Sequence, residues 1–190
     1  MVVGGGVGAR LLYLITRPQL IDHSWWKFWE GGMVSFGGLA GALLSLWAYR
    51  RAEGLAAQPF FDTVAPCLLV GWAVGRFGCF FHWWGEEGLS SSLPWKVVVN
   101  GAGYHPHQLY LITLLLCTAG WVWRMGGVGS GRPAVSALGG FAFSRGVADC
   151  WRLYQPTYLK SLSQGFCLAV LLCCLFWYWR ERFHDVSVEA

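Results

Sequence analysis

Long apolar stretches alternate with short polar segments along the whole chain. Most are close to the roughly 20 residues that an α-helix needs to cross about 30 Å of hydrocarbon. The pattern predicts an all-α fold, a polytopic membrane bundle of about six helices, forming a single integral-membrane domain over residues 1–190. The predicted spans are Val2 to Thr16, Gly31 to Tyr49, Asp62 to Trp84, His105 to Trp123, Pro133 to Trp151 and Ser161 to Trp179.

The first predicted span is short and starts almost at Met1. No basic segment with a small-residue cleavage site precedes it, which predicts a retained helix and not a cleaved signal peptide. Its length favours a natural chain that starts upstream of Met1. The fifth span is the least apolar and is compatible with a partly re-entrant segment.

Arginines at the ends of the predicted spans indicate the orientation. They flank alternate loops, at Arg50, Arg51, Arg124, Arg132, Arg180 and Arg182. The loop from Gly85 to Tyr104 instead carries Glu86 and Glu87. Because loops rich in arginine and lysine tend to stay in the cytoplasm, both chain termini are predicted inside and the acidic loop outside.

The composition agrees with a membrane protein, because 55% of residues are hydrophobic and 13% are charged, against about 25% charged in a soluble domain. The net charge of +4 is scattered over helix ends, which predicts contact with anionic lipid headgroups and no nucleic acid partner. The seven cysteines form no C-x-x-C pair, so neither a metal site, a disulfide framework nor a cofactor is predicted. Most of them are expected to be small core side chains.

Glycines spaced four residues apart predict helix-packing faces. Residues at this spacing share one face of a helix, and glycine there lets two helix backbones approach closely. The pairs are Gly4 with Gly8, Gly37 with Gly41, and Gly71 with Gly75.

Arg76 is the most informative residue, because it lies deep in the third predicted span. A guanidinium keeps its charge, and placing it at mid-bilayer costs about 2.5 kcal/mol or more, so it should face a partner or a wet cavity. If the helix continues, His82 lies about two turns further on and Glu86 about three. Glu86 is therefore a candidate site residue, whereas Glu87 is expected to be solvated.

A second cationic group occurs in the segment Ser144-Arg145-Gly146-Val147-Ala148-Asp149. On a helix, Arg145 and Asp149 share one face at a spacing of four, with Arg152 about one turn further along. An ion pair there could be purely structural. Two buried arginines in one small bundle nevertheless exceed what packing requires, and guanidinium grips phosphate in a bidentate manner. The pattern favours a pocket for a phosphate-bearing lipid headgroup.

The segment His105-Pro106-His107-Gln108-Leu109-Tyr110 begins the fourth predicted span. Proline presets the first helical turn and leaves the flanking histidines at the membrane surface, while Gln108 and Tyr110 enter the bilayer. A histidine at an interface is commonly a capping or snorkelling group, so both that role and a functional one stay open for His105 and His107.

The order of these motifs resembles the prolipoprotein diacylglyceryl transferase family of bacterial inner-membrane enzymes. The matching segments, in chain order, are Gly8-Ala9-Arg10-Leu11; Glu30-Gly31-Gly32-Met33 with Gly37-Gly38-Leu39; Asp62 with Pro66; Gly75-Arg76 with Gly78 and Phe80; Pro94-Trp95; His105-Pro106 with Gln108-Leu109-Tyr110; Ser144-Arg145 with Asp149 and Arg152; and Ser163-Gln164-Gly165. Together they span nearly the whole chain.

The resemblance implies transfer of the diacylglyceryl group of phosphatidylglycerol to the thiol of a lipobox cysteine in a preprolipoprotein signal peptide, with release of glycerol phosphate. It implies a multi-pass protein of the bacterial inner membrane and no cofactor. Arg76 and Arg145 match the family's essential arginines and would hold the phosphate, while Asp149 stands where the family has glutamate and would orient Arg145. The implied substrate-binding residues are Arg76, Arg145, Asp149, Cys79, Gln108 and Arg10, and the candidate catalytic residues are His82, His105, Glu86 and Tyr110.

The chain also departs from the family pattern. Phe36 stands where the family commonly has a histidine proposed as a base, Cys79 stands where it has asparagine, and a helix with a functional tyrosine is missing from these 190 residues. A divergent or N-terminally truncated member is therefore expected. The general base then falls to His82 or His105, which lie near the outer rim and titrate near neutrality.

Two alternatives remain open from the sequence. A catalytically inactive or repurposed lipid-binding relative would explain Phe36 and Cys79 directly. A small membrane transporter would need both arginines to line a continuous aqueous path, and the chain has no evident internal repeat to support one.

Overall fold

The computed structural model describes residues 2–16, 35–81, 88–153 and 158–188. As the sequence predicts, the chain is mostly α-helical. The helices are α1 (Val2–Thr16), α2 (Ser35–Ala52), α3 (Ala57–Phe81), α4 (His107–Met125), α5 (Arg132–Ala148) and α6 (Tyr158–Val188). They form two compact units, Met1–Ala57 and Gln58–Ala190.

Two helices are long and apolar enough to cross a membrane, namely α3 and residues Lys160–Glu181 of α6. Only 17% of the apolar window in α3 and 11% of that in α6 are buried within the protein. Such low burial is unlike the core helix of a soluble protein and suits contact with lipid. Helix α1 contributes a shorter apolar segment, Val3–Ile15. The apolar helical character is thereby confirmed, and the count of six spans stays a prediction.

Helices α1 and α2 of the first unit pack through the predicted glycine faces. A Cβ atom added to Gly8 would lie 2.3 Å from the carbonyl oxygen of Gly37, and one added to Gly41 would lie 2.2 Å from that of Gly4. Only glycine allows backbones this close, so the packing prediction is confirmed for both pairs. For Gly71 and Gly75 it stays a prediction, because no described atom lies within 4 Å of a Cβ placed at either residue.

We expect Gly8→Ala to lower the thermal unfolding midpoint of the chain in detergent, since the new methyl group forces two backbones apart at a cost of about 2 kcal/mol. Gly6→Ala is the matched control, because the described residues leave open space around Gly6. It should raise the midpoint slightly through better helix propensity. Equal midpoints for the two variants would contradict the close approach of α1 and α2.

The core of the second unit is formed by α3, α4 and α5. Its buried apolar residues are small or aliphatic: Leu69, Ala73, Leu111, Ile112, Leu115, Ala119, Val122, Ala137 and Ala148. A short connection containing four glycines with positive φ, at 126, 127, 129 and 131, turns the chain from α4 into α5. A connection this short makes the two helices antiparallel neighbours.

Asp62 fixes where α5 begins relative to α3. Its carboxylate is buried and accepts three backbone N–H groups, from Gly129 and Gly131 at 2.9 Å each and from Ala134 at 3.0 Å. Two of these donors belong to the start of α5, where backbone N–H groups lack partners within the helix. Because Asp62 lies near the start of α3, helices α3 and α5 begin at the same end of the unit and run in the same direction.

At the opposite end, segments far apart in sequence are joined by backbone hydrogen bonds. Strands β1 (Val97–Val99) and β2 (Ala102–Tyr104) form an antiparallel hairpin, which the sequence analysis did not predict. Leu89 donates its N–H to the carbonyl of Trp151 at 2.8 Å and accepts the N–H of His105 at 2.9 Å. Helix α5 ends at Ala148 and continues as a 3₁₀ turn, Asp149–Trp151.

The expectation that most cysteines are core side chains is wrong. Only Cys167 and Cys174 are buried, whereas the other five of the seven are exposed: Cys67, Cys79, Cys117, Cys150 and Cys173. Large apolar side chains are exposed on the same helices. In a membrane protein the lipid-facing surface is as apolar as the core, so an apolar residue type alone does not indicate which way it faces.

Candidate active site

Arg76 and Arg145 lie on the same side of the second unit at similar depth. The rings of Trp72 on α3 and Phe141 on α5 are in contact, with centroids 5.1 Å apart. Arg76 follows Trp72 by four residues and Arg145 follows Phe141 by four, so each arginine shares the face of its aromatic residue, about 6 Å further along the helix. We call the end of the unit that carries these two arginines the basic end.

The basic end is far from the end that holds Asp62. Asp62 and Arg76 are on the same helix, 14 residues apart, which corresponds to about 21 Å at 1.5 Å per residue. Of the two arginine side chains, Arg76 is half-buried and that of Arg145 is 18% exposed. Neither arginine is therefore fully exposed.

Arg145 forms the predicted ion pair with Asp149. Its Nε lies 3.3 Å from Oδ2 of Asp149, whose side chain is only 1% exposed. The same Oδ2 accepts a hydrogen bond of 2.6 Å from the hydroxyl of Ser163 on α6. The buried carboxylate thus has two donors, one from its own helix and one from α6. Sequence reasoning gave Ser163 no role, since no local spacing links it to Asp149.

The first turns of α6 contact the 3₁₀ turn that carries Asp149. The ammonium group of Lys160 donates an N–H to the carbonyl of Cys150 at 3.3 Å, and the side-chain amide nitrogen of Gln164 lies 3.8 Å from the sulfur of the same cysteine. Lys160, Ser163 and Gln164 share one face of α6, at spacings of three and four. The position of Asp149 therefore depends on how α6 is seated.

His105 and Tyr110 belong to a cluster of four side chains, Trp95, His105, Tyr110 and Trp151, which we call the aromatic cluster. The indole N–H of Trp95 donates to the Tyr110 hydroxyl at 3.0 Å, and Nδ1 of His105 lies 3.2 Å from the same oxygen. The ring of Trp151 lies against both, with centroids 5.5 Å from Tyr110 and 6.4 Å from His105. Because Trp151 follows Asp149 by two residues, this cluster adjoins the Arg145 ion pair.

His107 and Gln108 open α4 as buried residues, 3% and 0% exposed. The expectation that both flanking histidines lie at the membrane surface is therefore wrong for His107, whose ring is enclosed by protein. His105 is half-buried. The chain turns into α4 at Pro106, whose carbonyl accepts the N–H groups of Leu109 and Tyr110 at 2.9 and 3.3 Å. Gln108 thus enters the unit's interior at the end that carries the aromatic cluster.

The remaining candidates are Cys79, Arg10, His82 and Glu86. Cys79 is exposed near the end of α3. Arg10 belongs to the first unit, where it is 3% exposed and lies over the ring of Tyr13 with 5.5 Å to the centroid. His82, Glu86 and Glu87 lie outside the described residues.

Comparison with known proteins identifies the family. The family described as "Prolipoprotein diacylglyceryl transferase" matches residues 1–180. A phosphatidylglycerol–prolipoprotein diacylglyceryl transferase of Aromatoleum aromaticum is 34% identical over an alignment of 191 positions, gaps included. The alignment covers 91% of this chain and 68% of the relative. Proteins of the same name from Legionella pneumophila and Methylococcus capsulatus are 31% and 33% identical and are covered to 75% and 70% of their length. The chain belongs to the prolipoprotein diacylglyceryl transferase family.

Proposed function

We propose that this chain transfers the diacylglyceryl group of phosphatidylglycerol to the thiol of a lipobox cysteine in a preprolipoprotein. Family membership makes the chain a membrane transferase of lipoprotein biosynthesis, and the relatives' names supply the two substrates. The observation that carries the proposal is the basic end, where two helices present arginines at one depth and Asp149 holds one of them. A single domain with six membrane spans is proposed from the sequence pattern, and a location in the bacterial inner membrane is proposed from the family resemblance.

The reaction requires a phosphate to leave a carbon atom. The acceptor thiolate attacks the glyceryl carbon that bears the phosphate ester, a C–S bond forms, and the C–O bond breaks with its electron pair moving to the departing glycerol phosphate. The leaving group gains negative charge in the transition state. Guanidinium groups of Arg76 and Arg145 would stabilise that charge, and in a site of low dielectric such stabilisation is worth far more than in water.

The pairing of Arg145 with Asp149 supports a preorganised role for this arginine. Contact through Nε fixes the plane of the guanidinium before any lipid arrives, and a planar fork recognises a phosphate only in defined orientations. An arginine held in advance loses less side-chain entropy on binding and makes the transition-state contact without reorganisation. Asp149 is thus proposed to orient Arg145 and not to contact the lipid itself.

The thiol proton needs a general base, and we propose His105. Trp95 can only donate, so its indole N–H uses one acceptor site of the Tyr110 hydroxyl. If Nδ1–H of His105 uses the second, the imidazole carries its lone pair on Nε2, and this nitrogen would accept the proton. Tyr110 would then select the tautomer whose basic nitrogen is Nε2, and Trp151 would hold the ring beside the 3₁₀ turn that carries Asp149.

We expect His105→Ala to lower the transfer rate about 100-fold or more, which is the usual contribution of a general base. Mass spectrometry of a lipobox peptide in vesicles that contain phosphatidylglycerol measures this rate. His82→Ala is the parallel variant: a loss confined to it would assign the base to His82, and unchanged rates in both would remove histidine from the step.

The proposed function is tested by two products formed together. Purified protein in phosphatidylglycerol vesicles should add one diacylglyceryl mass to a lipobox peptide and release one glycerol phosphate for each peptide modified. A peptide with serine in place of the lipobox cysteine serves as the control, because its hydroxyl is a far weaker nucleophile near neutral pH. Lipid binding without either product would support a repurposed lipid-binding relative and refute the transferase proposal.

A further inference from the structure

We infer that Ser163 is a positioning residue, which fixes the Asp149 carboxylate and through it the phosphate-binding guanidinium of Arg145. The inference rests on the proposed function, since it concerns the same site. It assigns a task to a hydroxyl on α6, a helix that carries none of the candidate arginines or histidines discussed above.

The two contacts of the carboxylate differ in length. The hydroxyl of Ser163 donates to Oδ2 at 2.6 Å, within the range of strong O–H···O⁻ bonds, whereas Nε of Arg145 lies 3.3 Å from the same atom. Charge-assisted N–H···O bonds are commonly 2.7 to 2.9 Å long. The Ser163 hydrogen bond is therefore a close contact that fixes the carboxylate independently of the arginine that it orients.

Burial makes this second donor necessary. Asp149 is 1% exposed, so solvent cannot replace a lost hydrogen bond to its oxygens, and a buried carboxylate with too few donors is costly. Without the hydroxyl, the carboxylate would turn toward other donors, and the guanidinium plane would turn with it. The expected consequence is a less well oriented Arg145, with the charge of the site unchanged.

Ser163 lies on a part of α6 that also contacts the 3₁₀ turn through other side chains. Lys160 and Gln164, on the same face of α6, contact Cys150 in the same 3₁₀ turn. The hydroxyl therefore acts from a helix that is already anchored beside Asp149. A conservative substitution that keeps a hydroxyl at this place should keep the function, which separates positioning from mere helix packing.

The test uses the full chain in detergent with short-chain phosphatidylglycerol as the probe. Ser163→Ala should raise the Kd for this lipid and its KM in the transfer reaction by about tenfold, equivalent to about 1.4 kcal/mol. The KM for the lipobox peptide should stay unchanged. Ser163→Thr should restore lipid binding to within about twofold, since the hydroxyl is kept. Ser161→Ala, an exposed serine on the same turn, is the matched control and should bind like the wild type.

A double-mutant cycle decides whether the hydroxyl acts through Asp149. In the Asp149→Asn background, adding Ser163→Ala should change the Kd by less than about twofold, because the carboxylate that Ser163 positions is gone. Each of three results would overturn the inference. The first is a full tenfold effect of Ser163→Ala in the Asp149→Asn background, and the second is equal lipid affinity of Ser163→Ala and the wild type. The third is failure of Ser163→Thr to restore lipid binding.

The same measurements separate this inference from the proposed function. If the wild type binds phosphatidylglycerol and transfers nothing, the transferase proposal fails and the Kd values alone decide the role of Ser163. If transfer occurs and the Ser163 variants bind equally well, only the positioning inference fails. A wild type that does not bind the lipid would overturn both.

Discussion

Arg145→Lys should reduce diacylglyceryl transfer about 100-fold or more, the usual cost of removing one donor to a developing charge, while the protein remains folded. Lysine keeps the positive charge but loses the Nε that pairs with Asp149 at 3.3 Å and the planar fork that recognises phosphate. An ammonium on a flexible stem is a point charge, so neither the direction nor the bidentate geometry survives. The loss should appear in both kcat and the KM for phosphatidylglycerol, because the guanidinium would bind the lipid phosphate and also stabilise the charge that develops on it.

The controls separate local geometry from general effects on charge. Arg124→Lys changes an exposed arginine in the last turn of α4, at the far end from the basic end, and should leave transfer unaltered. Arg76→Lys tests the other half of the proposed phosphate site. Full activity in both Arg76→Lys and Arg145→Lys would show that a simple positive charge is enough, and bidentate recognition would be refuted.

Local regularities were predictable from the sequence. A spacing of four on a helix brings Arg145 and Asp149 onto one face wherever that helix lies, and the ion pair is present. The glycine faces of α1 and α2 follow from the same periodicity, because each pair meets a complementary pair. Gly71 and Gly75 have identical spacing but meet no described atom, since what a helix face contacts is decided by the arrangement of the other helices.

Features that depend on tertiary closure were not predictable. Ser163 reaches Asp149 across a helix boundary, which no local spacing specifies. The hairpin Val97–Tyr104 is different, because its two-residue turn Asn100-Gly101 has positive φ at both residues and is a local sequence signal that the analysis missed. His107 was expected at the membrane surface but is buried within the protein. A polar residue at the start of an apolar stretch can face either lipid headgroups or the protein interior, and the sequence does not distinguish the two. The similar depth of Arg76 and Arg145 likewise follows from the contact between Trp72 and Phe141, which no sequence period specifies.

Asp62→Asn should produce the largest loss of stability among the variants considered, at about 3 kcal/mol. The carboxylate is 2% exposed and accepts N–H groups with both oxygens. Asparagine replaces one acceptor oxygen by an N–H₂ group, which then faces a backbone donor, and it removes the negative charge that the positive end of the α5 dipole favours. For a chain of this size the thermal unfolding midpoint should fall by roughly 6 to 12 °C.

Thr63→Ala is the matched control for this variant, because Thr63 is the next residue on α3, is exposed, and donates its hydroxyl to the carbonyl of Pro59 within its own helix. It should shift the midpoint by no more than about 2 °C, as expected for a surface substitution. If Asp62→Asn were as stable as Thr63→Ala, the three backbone hydrogen bonds would contribute little and the start of α5 would have to be held by helix packing alone. A large fall in the unfolding midpoint of Asp62→Asn would instead mean that one buried carboxylate holds the starts of α3 and α5 together. The shared depth of Arg76 and Arg145 would then depend on a group about 20 Å from the proposed chemistry.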